Sequence, residues 1–175
     1  MTRAHAVKSA IAVAALLIVT SPIASSQATF KPDAHGFLIA TEDEIKAAGA
    51  VVVHKCAHVR HAVAAQNMGV DAVTLVGMEE GGHPGNNQLP TFLNGAYALE
   101  RLQVPLALGG GIGHGRQIAA ALALGADAVV MGSVFTSAVE TPAHPAYKQR
   151  VVATDEHGTR AVLGSLGDTW RVIDN

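Results

Sequence analysis

The sequence predicts an α/β fold of parallel βα repeats, a partial (β/α)8 TIM-barrel of about four βα units, and three observations carry that expectation. Short β-branched runs alternate with longer segments whose apolar residues recur at helical spacing. The runs end in polar or glycine-rich tips: His54-Lys55-Cys56, Gly77 onward, Gly109-Gly110-Gly111-Ile112-Gly113, and Met131-Gly132-Ser133. Strand starts fall roughly 20 to 30 residues apart, an ordinary length for one barrel unit. A closed barrel needs about 250 residues. The four units counted here therefore make half a barrel or a small open sheet.

Composition narrows the function classes. The 175 residues allow one domain with a sizeable core or slightly more, and 49% apolar with 15% charged residues suits a buried sheet. A formal net charge of −2 and the lack of a basic run give no reason to expect nucleic acid. Cys56 is the single cysteine, which excludes an internal disulfide and a cysteine-built zinc site. The nine histidines are scattered, with no HExxH and no paired-ligand spacing backed by carboxylates, so no metal is expected.

Each element has its own justification. Residues 1–28 follow the three-part plan of a secretory signal peptide: Arg3 and Lys8, the apolar run Ala10 to Val19, then small residues to Ser26-Gln27-Ala28. The run is too short for a membrane anchor. The competing reading is a buried helix or strand of the domain, and the twin-arginine pair that would suit export of a folded cofactor protein is absent. Residues 29–41 form a connector.

Residues 42–155 hold the barrel units. A helix over Glu42 to Ala48 carries acids in its first turn and ends at Gly49. Ala50 to His54 is the first strand. His58 to Met68 is a helix closed by Gly69, and Val70 to Val76 is the second strand. Gly77 to Asn87 is a loop, Leu89 to Leu102 a helix with Pro90 in its first turn, and Val104 to Leu108 the third strand. Arg116 to Leu124 is a helix capped by Gly125, Ala126 to Met131 the fourth strand, and Tyr147 to Ala153 a short helix. Residues 156–175 are a polar C-terminal tail.

The chemistry gathers where the strands end. The glycine turn 109–113 precedes a helix and can turn several N–H donors toward a phosphate, although glycine-rich βα turns are often no more than tight turns. Met131-Gly132-Ser133 is a second small-residue turn on the next strand, and barrels place their phosphate site on two adjacent turns of this kind. Lys55, at a strand's carboxyl end, can balance a phosphate or an anionic ring. His83, between Gly82 and Pro84, can move a proton near neutral pH, and is otherwise a plain loop histidine. Glu79 and Glu80 fit solvated loop acids equally well. Cys56 fits a small buried hydrophobe better than a reactive thiol.

His54-Lys55-Cys56, Val59-Arg60-His61-Ala62, Gly69-Val70-Asp71-Ala72-Val73, Glu80-Gly81-Gly82-His83-Pro84-Gly85, Gly110-Gly111-Ile112-Gly113, ALALGADAVVMGS at 121–133 and HPAYK at 144–148 follow one another in order. Over about residues 44 to 155 this series resembles the nitronate monooxygenase family, formerly 2-nitropropane dioxygenases. The resemblance implies an FMN-dependent oxidoreductase that oxidises alkyl nitronates with oxygen inside a (β/α)8 barrel. It makes His83 the catalytic histidine facing substrate. Lys55, Gly81, Gly110, Gly111, Met131, Gly132 and Ser133 become the FMN contacts.

Two departures accompany the resemblance. Val76 stands where the family usually carries an acid, and residues 1–40 do not resemble the family's first half. A half barrel leaves two parallel edges open, which favours a homodimer or a partner half barrel. Two other readings stand beside the monooxygenase one. An FMN-type enoyl-acyl-carrier-protein reductase shares the Gly81-Gly82-His83 loop and the glycine-rich turns. A non-catalytic half barrel that binds a phosphorylated ligand or nothing is favoured by Val76 and the missing half. The N-terminus argues for export, while the family argues for the cytoplasm.

Overall fold

A computed structural model describes residues 42–86, 88–166 and 168–174, so the signal-peptide and connector readings of residues 1–41 lie outside the described residues. Four strands form one parallel sheet in sequential order: β1 (Val53–Cys56), β2 (Ala72–Val76), β3 (Leu106–Gly109) and β4 (Ala128–Val130). The helices are α1 (Glu42–Ala47), α2 (Val59–Met68), α3 (Thr91–Leu99), α4 (Gly115–Leu124), α5 (Ser133–Thr136) and α6 (Pro145–Ala153). Sequential parallel order with a helix after each of the first three strands is the arrangement of barrel units.

A repeated device sets the register. Gly69 and Gly125 end α2 and α4 in the left-handed region, at φ 97° and 117°, where glycine carries no Cβ penalty. Each is followed two residues later by an aspartate. Asp71 Oδ2 accepts the Val52 N–H at 2.8 Å, and Asp127 Oδ2 accepts the Leu106 N–H at 2.9 Å. Each carboxylate thereby ties the start of its own strand to the start of the strand before it. Asp71 is held below the usual carboxylate range, chiefly by that Val52 N–H and then by Lys46.

The same device explains where the strands begin. Apolarity places the first strand at Ala50 to His54, but the Asp71–Val52 tie starts pairing at Val53 opposite Ala72 and ends it at Cys56 opposite Leu75. Lys55 is thus part of the strand. The second, third and fourth strands likewise each start two residues later than their apolar runs.

Val73, Leu75, Leu106 and Leu108 fill the middle of the sheet and are essentially buried. Continuous burial along β2 and β3, rather than alternation, is the mark of a parallel sheet covered on both faces. Ala62, Ala65, Ala98 and Ala121 face this core from the helices, their small side chains letting helix backbones approach the sheet. The outer strands differ: Val53 on β1 and Val130 on β4 are exposed, so among the described residues the sheet ends in two open edges.

Residues 156–175, polar in composition, are more than a tail. β5 (Thr159–Val162) and β6 (Trp170–Ile173) pair antiparallel, and Gly82 bridges to Arg171 through Gly82 N–H to Arg171 O at 2.9 Å and Arg171 N–H to Gly82 O at 2.7 Å. The alternation in Trp170–Ile173 is too brief to read as a strand from sequence alone. It forms because a partner strand and the Gly82 backbone satisfy its hydrogen bonds.

Candidate active site at the carboxyl ends of the strands

The loop after β2 is anchored from both ends. Glu79 Oε2 accepts the Thr91 N–H at 3.0 Å, and the Thr91 hydroxyl lies 3.0 Å from the same oxygen, 2.9 Å from Gly109 O and 2.8 Å from Gly110 O. A carboxylate on the first amide of α3 also complements the helix dipole. Asn94, one turn further on, donates its amide to Ala57 O at 2.8 Å and Val76 O at 3.0 Å, joining the ends of β1 and β2. Glu80 Oε1 meets Lys55 Nζ at 2.6 Å, while Glu80 Oε2 is buried with no partner among the described residues. Glu79 and Glu80 are therefore engaged groups, not the solvated acids that loop composition also allows.

The two small-residue turns play different parts. Gly110 and Gly111 sit at φ 98° and 68°; a Cβ at these positions would come within 2.8 Å of Thr91 Oγ1 and 2.9 Å of the Glu79 side chain. Their missing side chains make room for the Glu79–Thr91 latch. Farther along, Gln117 Oε1 accepts the Gly113 and His114 N–H groups at 2.9 Å each, and His114 Nδ1 accepts the Arg116 N–H at 3.1 Å. This capping box already engages amides that a glycine-rich turn would otherwise turn toward a phosphate. The turn at Met131-Gly132-Ser133 is open by contrast: a Cβ on Gly132 would meet nothing within 4 Å, and the same holds for Gly81.

His83 is held by the C-terminal hairpin. Its Nε2 lies 2.6 Å from Asp168 Oδ1, and its ring stacks on Trp170 with centroids 5.2 Å apart and planes 12° from parallel. Asp168 sits below the usual carboxylate range, first because it accepts the Thr169 N–H and then because of His83. As an ionised acceptor it receives a hydrogen bond from Nε2–H. Neither Asp168 nor Trp170 carries a signal in sequence, because 85 residues separate the histidine from its partner.

Lys55, Cys56 and His83 line one groove of about 900 Å³, together with His54, Arg60 and Asp168. Val76 lines it as well, so the position that lacks an acid does face the site. His58, also lining the groove, packs edge-on against His61; burial, then the charges of Arg60 and His61, push its pKa down.

Cys56 is half buried against the core, and burial raises its thiol to about 11, partly offset by the His58 N–H. At about pH 8 only about one thiol in a thousand is then ionised. Alkylation by iodoacetamide, followed by mass spectrometry, is expected to run about a hundredfold or more below the rate of free cysteine. A rate equal to free cysteine would contradict this environment.

The fold and site define a class: a parallel (β/α)8-type barrel segment with a histidine-containing groove at the carboxyl ends of its strands. Comparison with known proteins then gives the family. Residues 7–175 match the family described as "NMO: Nitronate monooxygenase", reaching beyond the motif series at both ends. The chain belongs to the nitronate monooxygenase family.

A probable nitronate monooxygenase of Bacillus subtilis (strain 168) is 35% identical over 140 residues, covering 75% of this chain and 40% of that protein. The chain thus spans about two fifths of the length of the curated relatives it matches. Among solved structures, FabK from Thermotoga maritima superposes with a TM-score of 0.72 at 36% identity, over 75% of this chain and 42% of that one. Nitroalkane oxidase from Streptomyces ansochromogenes gives 0.67 at 29% identity, over 76% and 41%. Among the described residues no helix is long and apolar enough to cross a membrane, and no group of three or more metal-ligating side chains forms.

Proposed function

We propose that this chain supplies the site-bearing half of an FMN-dependent oxidoreductase that oxidises alkyl nitronates with oxygen. The observation that carries the reading is the meeting of Lys55 and His83 on one groove at the carboxyl ends of parallel strands, in a chain of this family. The residues fit a flavin phosphate at the second turn. Gly81 and Gly132 leave open space where a side chain would stand, and Met131 and Ser133 flank the latter. Gly110 and Gly111 are left to contribute through their backbones.

FMN, when bound, supplies the electron transfer. His83 holds or accepts a proton at the substrate, Lys55 supplies positive charge beside an anionic group, and the groove walls orient the nitronate. Lys55 is bound to Glu80, so its charge reaches a ligand only as part of that pair. The two open sheet edges call for a second half barrel, from another copy of the chain or from a partner.

The FabK likeness favours a second reading, an FMN-type enoyl-acyl-carrier-protein reductase. A flavin reduced by a nicotinamide and reoxidised by an enoyl thioester, rather than by nitronate and oxygen, would select it.

The test is a visible absorption spectrum of the purified chain, before and after added FMN, with its mass in solution and a nitronate assay. A flavin spectrum near stoichiometry with nitronate turnover is expected. A protein that stays colourless with excess FMN overturns the reading and leaves the non-catalytic half barrel. In active protein, His83→Ala is expected to lower kcat about a hundredfold or more, the ordinary contribution of a general acid or base. Unchanged turnover in His83→Ala removes the histidine from the mechanism.

A further inference from the structure

We propose that the C-terminal hairpin is the positioning element of this site, with Asp168 and Trp170 acting through His83. The proposal rests on the functional reading above only in assigning His83 a proton to move; the clamp itself stands on geometry.

Three independent contacts lead to it. Asp168 Oδ1 accepts a hydrogen bond from His83 Nε2–H at 2.6 Å. Trp170 covers the imidazole face, its ring nearly parallel at 5.2 Å. One residue on, Arg171 locks the histidine loop through both Gly82 backbone bonds, and its Nε donates to Met78 O at 3.0 Å. Together the hydrogen bond and the stack set the direction and the plane of the ring, while the Gly82 bridge sets the height of the loop that carries it.

The consequence is chemical. A neutral imidazole whose Nε2–H is committed to a carboxylate has Nδ1 as its basic atom. Asp168 therefore selects which nitrogen of His83 exchanges a proton at the groove. It also stabilises the imidazolium that forms when Nδ1 takes one. No bond to carbon is made by either residue. They are positioning groups, in the way that outer carboxylates orient histidines elsewhere.

The arrangement includes its own probe, since Trp170 is the only tryptophan in the chain. A stacked imidazolium quenches indole emission, so Trp170 fluorescence follows the charge of His83 without flavin or substrate. The charged and titratable groups that share the groove with His83 are Asp168 before β6, His54, Lys55 and Cys56 on β1, and His58, Arg60 and His61 at the start of α2. His83→Gln separates its signal from those of the other histidines.

In the full chain, emission is expected to fall on acidification, as His83 gains its charge. The fall is expected to vanish in His83→Gln. Asp168→Ala is expected to lose more than half of the amplitude because the ring leaves the stack, whereas Asp168→Asn, whose amide oxygen still accepts from Nε2–H, is expected to keep most of it. Circular dichroism of each variant identifies one that has simply unfolded, and the Asn variant then carries the comparison. In flavin-loaded protein with nitronate turnover, Asp168→Asn is expected to lower kcat about tenfold or more with KM nearly unchanged.

A wild-type emission that does not change with pH, or an equal quench in His83→Gln, overturns the clamp whatever the activity. Asp168→Ala with full quench overturns the role of the carboxylate. A quench that behaves as described in a protein without nitronate turnover supports the clamp and counts against the proposed reaction, so the two failures are distinguishable.

Discussion

Gly77→Ala is expected to destabilise the protein by about 3 kcal/mol or more, the upper part of the range for overpacking a filled site. The residue follows β2 directly, and its φ is not in the left-handed region, so space rather than conformational freedom makes glycine necessary. A Cβ there would fall inside the contact radii of Thr91 N and Oγ1 and would reach Glu79 Oε2 at 2.5 Å. Those three atoms are the latch that holds α3 to the loop after β2. None is the far end of a long free side chain: two belong to the start of a helix, and the third is the carboxylate bonded to it. Accommodating the methyl group means breaking the latch.

The measurement is a urea midpoint, with Gly132→Ala as the comparison. Gly132 also follows a strand, yet a methyl group on it meets nothing within 4 Å, so it is expected to fold with near wild-type stability. Equal midpoints for the two variants would show that the latch is unimportant. If FMN binds where proposed, Gly132→Ala is instead expected to weaken flavin uptake, since it fills the open turn.

Asn94→Ala is the second large expected effect, again about 3 kcal/mol. Asn94 is 1% exposed, and its amide donates to the carbonyls of Ala57 and Val76. Truncation removes that donor from both, at about 1 to 3 kcal/mol for the buried bond to Val76 O and less for the part-buried one to Ala57 O. It also opens a cavity beside the sheet. Asn94→Leu restores most of the volume but donates nothing, and is expected to recover only a minor part of the loss. Asn94→Asp is expected to be at least as damaging as Ala, because a carboxylate has no donor for two carbonyls and brings a charge into a buried site. Denaturant unfolding of the three variants checks this. A loss below about 1 kcal/mol for Ala would mean that water replaces the amide.

These two residues show where sequence reading stops. Gly77 stands at the end of an apolar run and is visible as a strand terminus, but its necessity comes from Thr91, fourteen positions on. Asn94 interrupts the apolar pattern of α3 and looks like a solvent-facing helix residue, yet the helix turns it toward two strand ends. Glu80 and Lys55 are each readable as charged residues near a site, and their pairing is not. The glycine turn at 109–113 is legible as a turn between strand and helix. That Glu79, Thr91 and Gln117 fill and cap it, while Gly132 stays open, follows from side chains that meet only in three dimensions.

The order of the first four strands and the helices between them, the parallel topology and the family were legible in the sequence, as were His83 and Lys55 as residues to test. Each of these depends on local periodicity, on glycine at strand and helix ends, or on motifs of neighbouring residues. Only the tertiary structure decided the exact start of each strand, the division of labour between the two glycine-rich turns, and the docking of the C-terminal hairpin on His83. Those depend on hydrogen bonds between groups that are far apart along the chain, such as Asp71 with Val52 or Asp168 with His83, and local pattern carries no record of such partners. Backbone periodicity is a property of a short stretch. Side-chain pairing across a site is a property of the packed whole, because each polar group that is buried must find its partner wherever the fold brings one within reach.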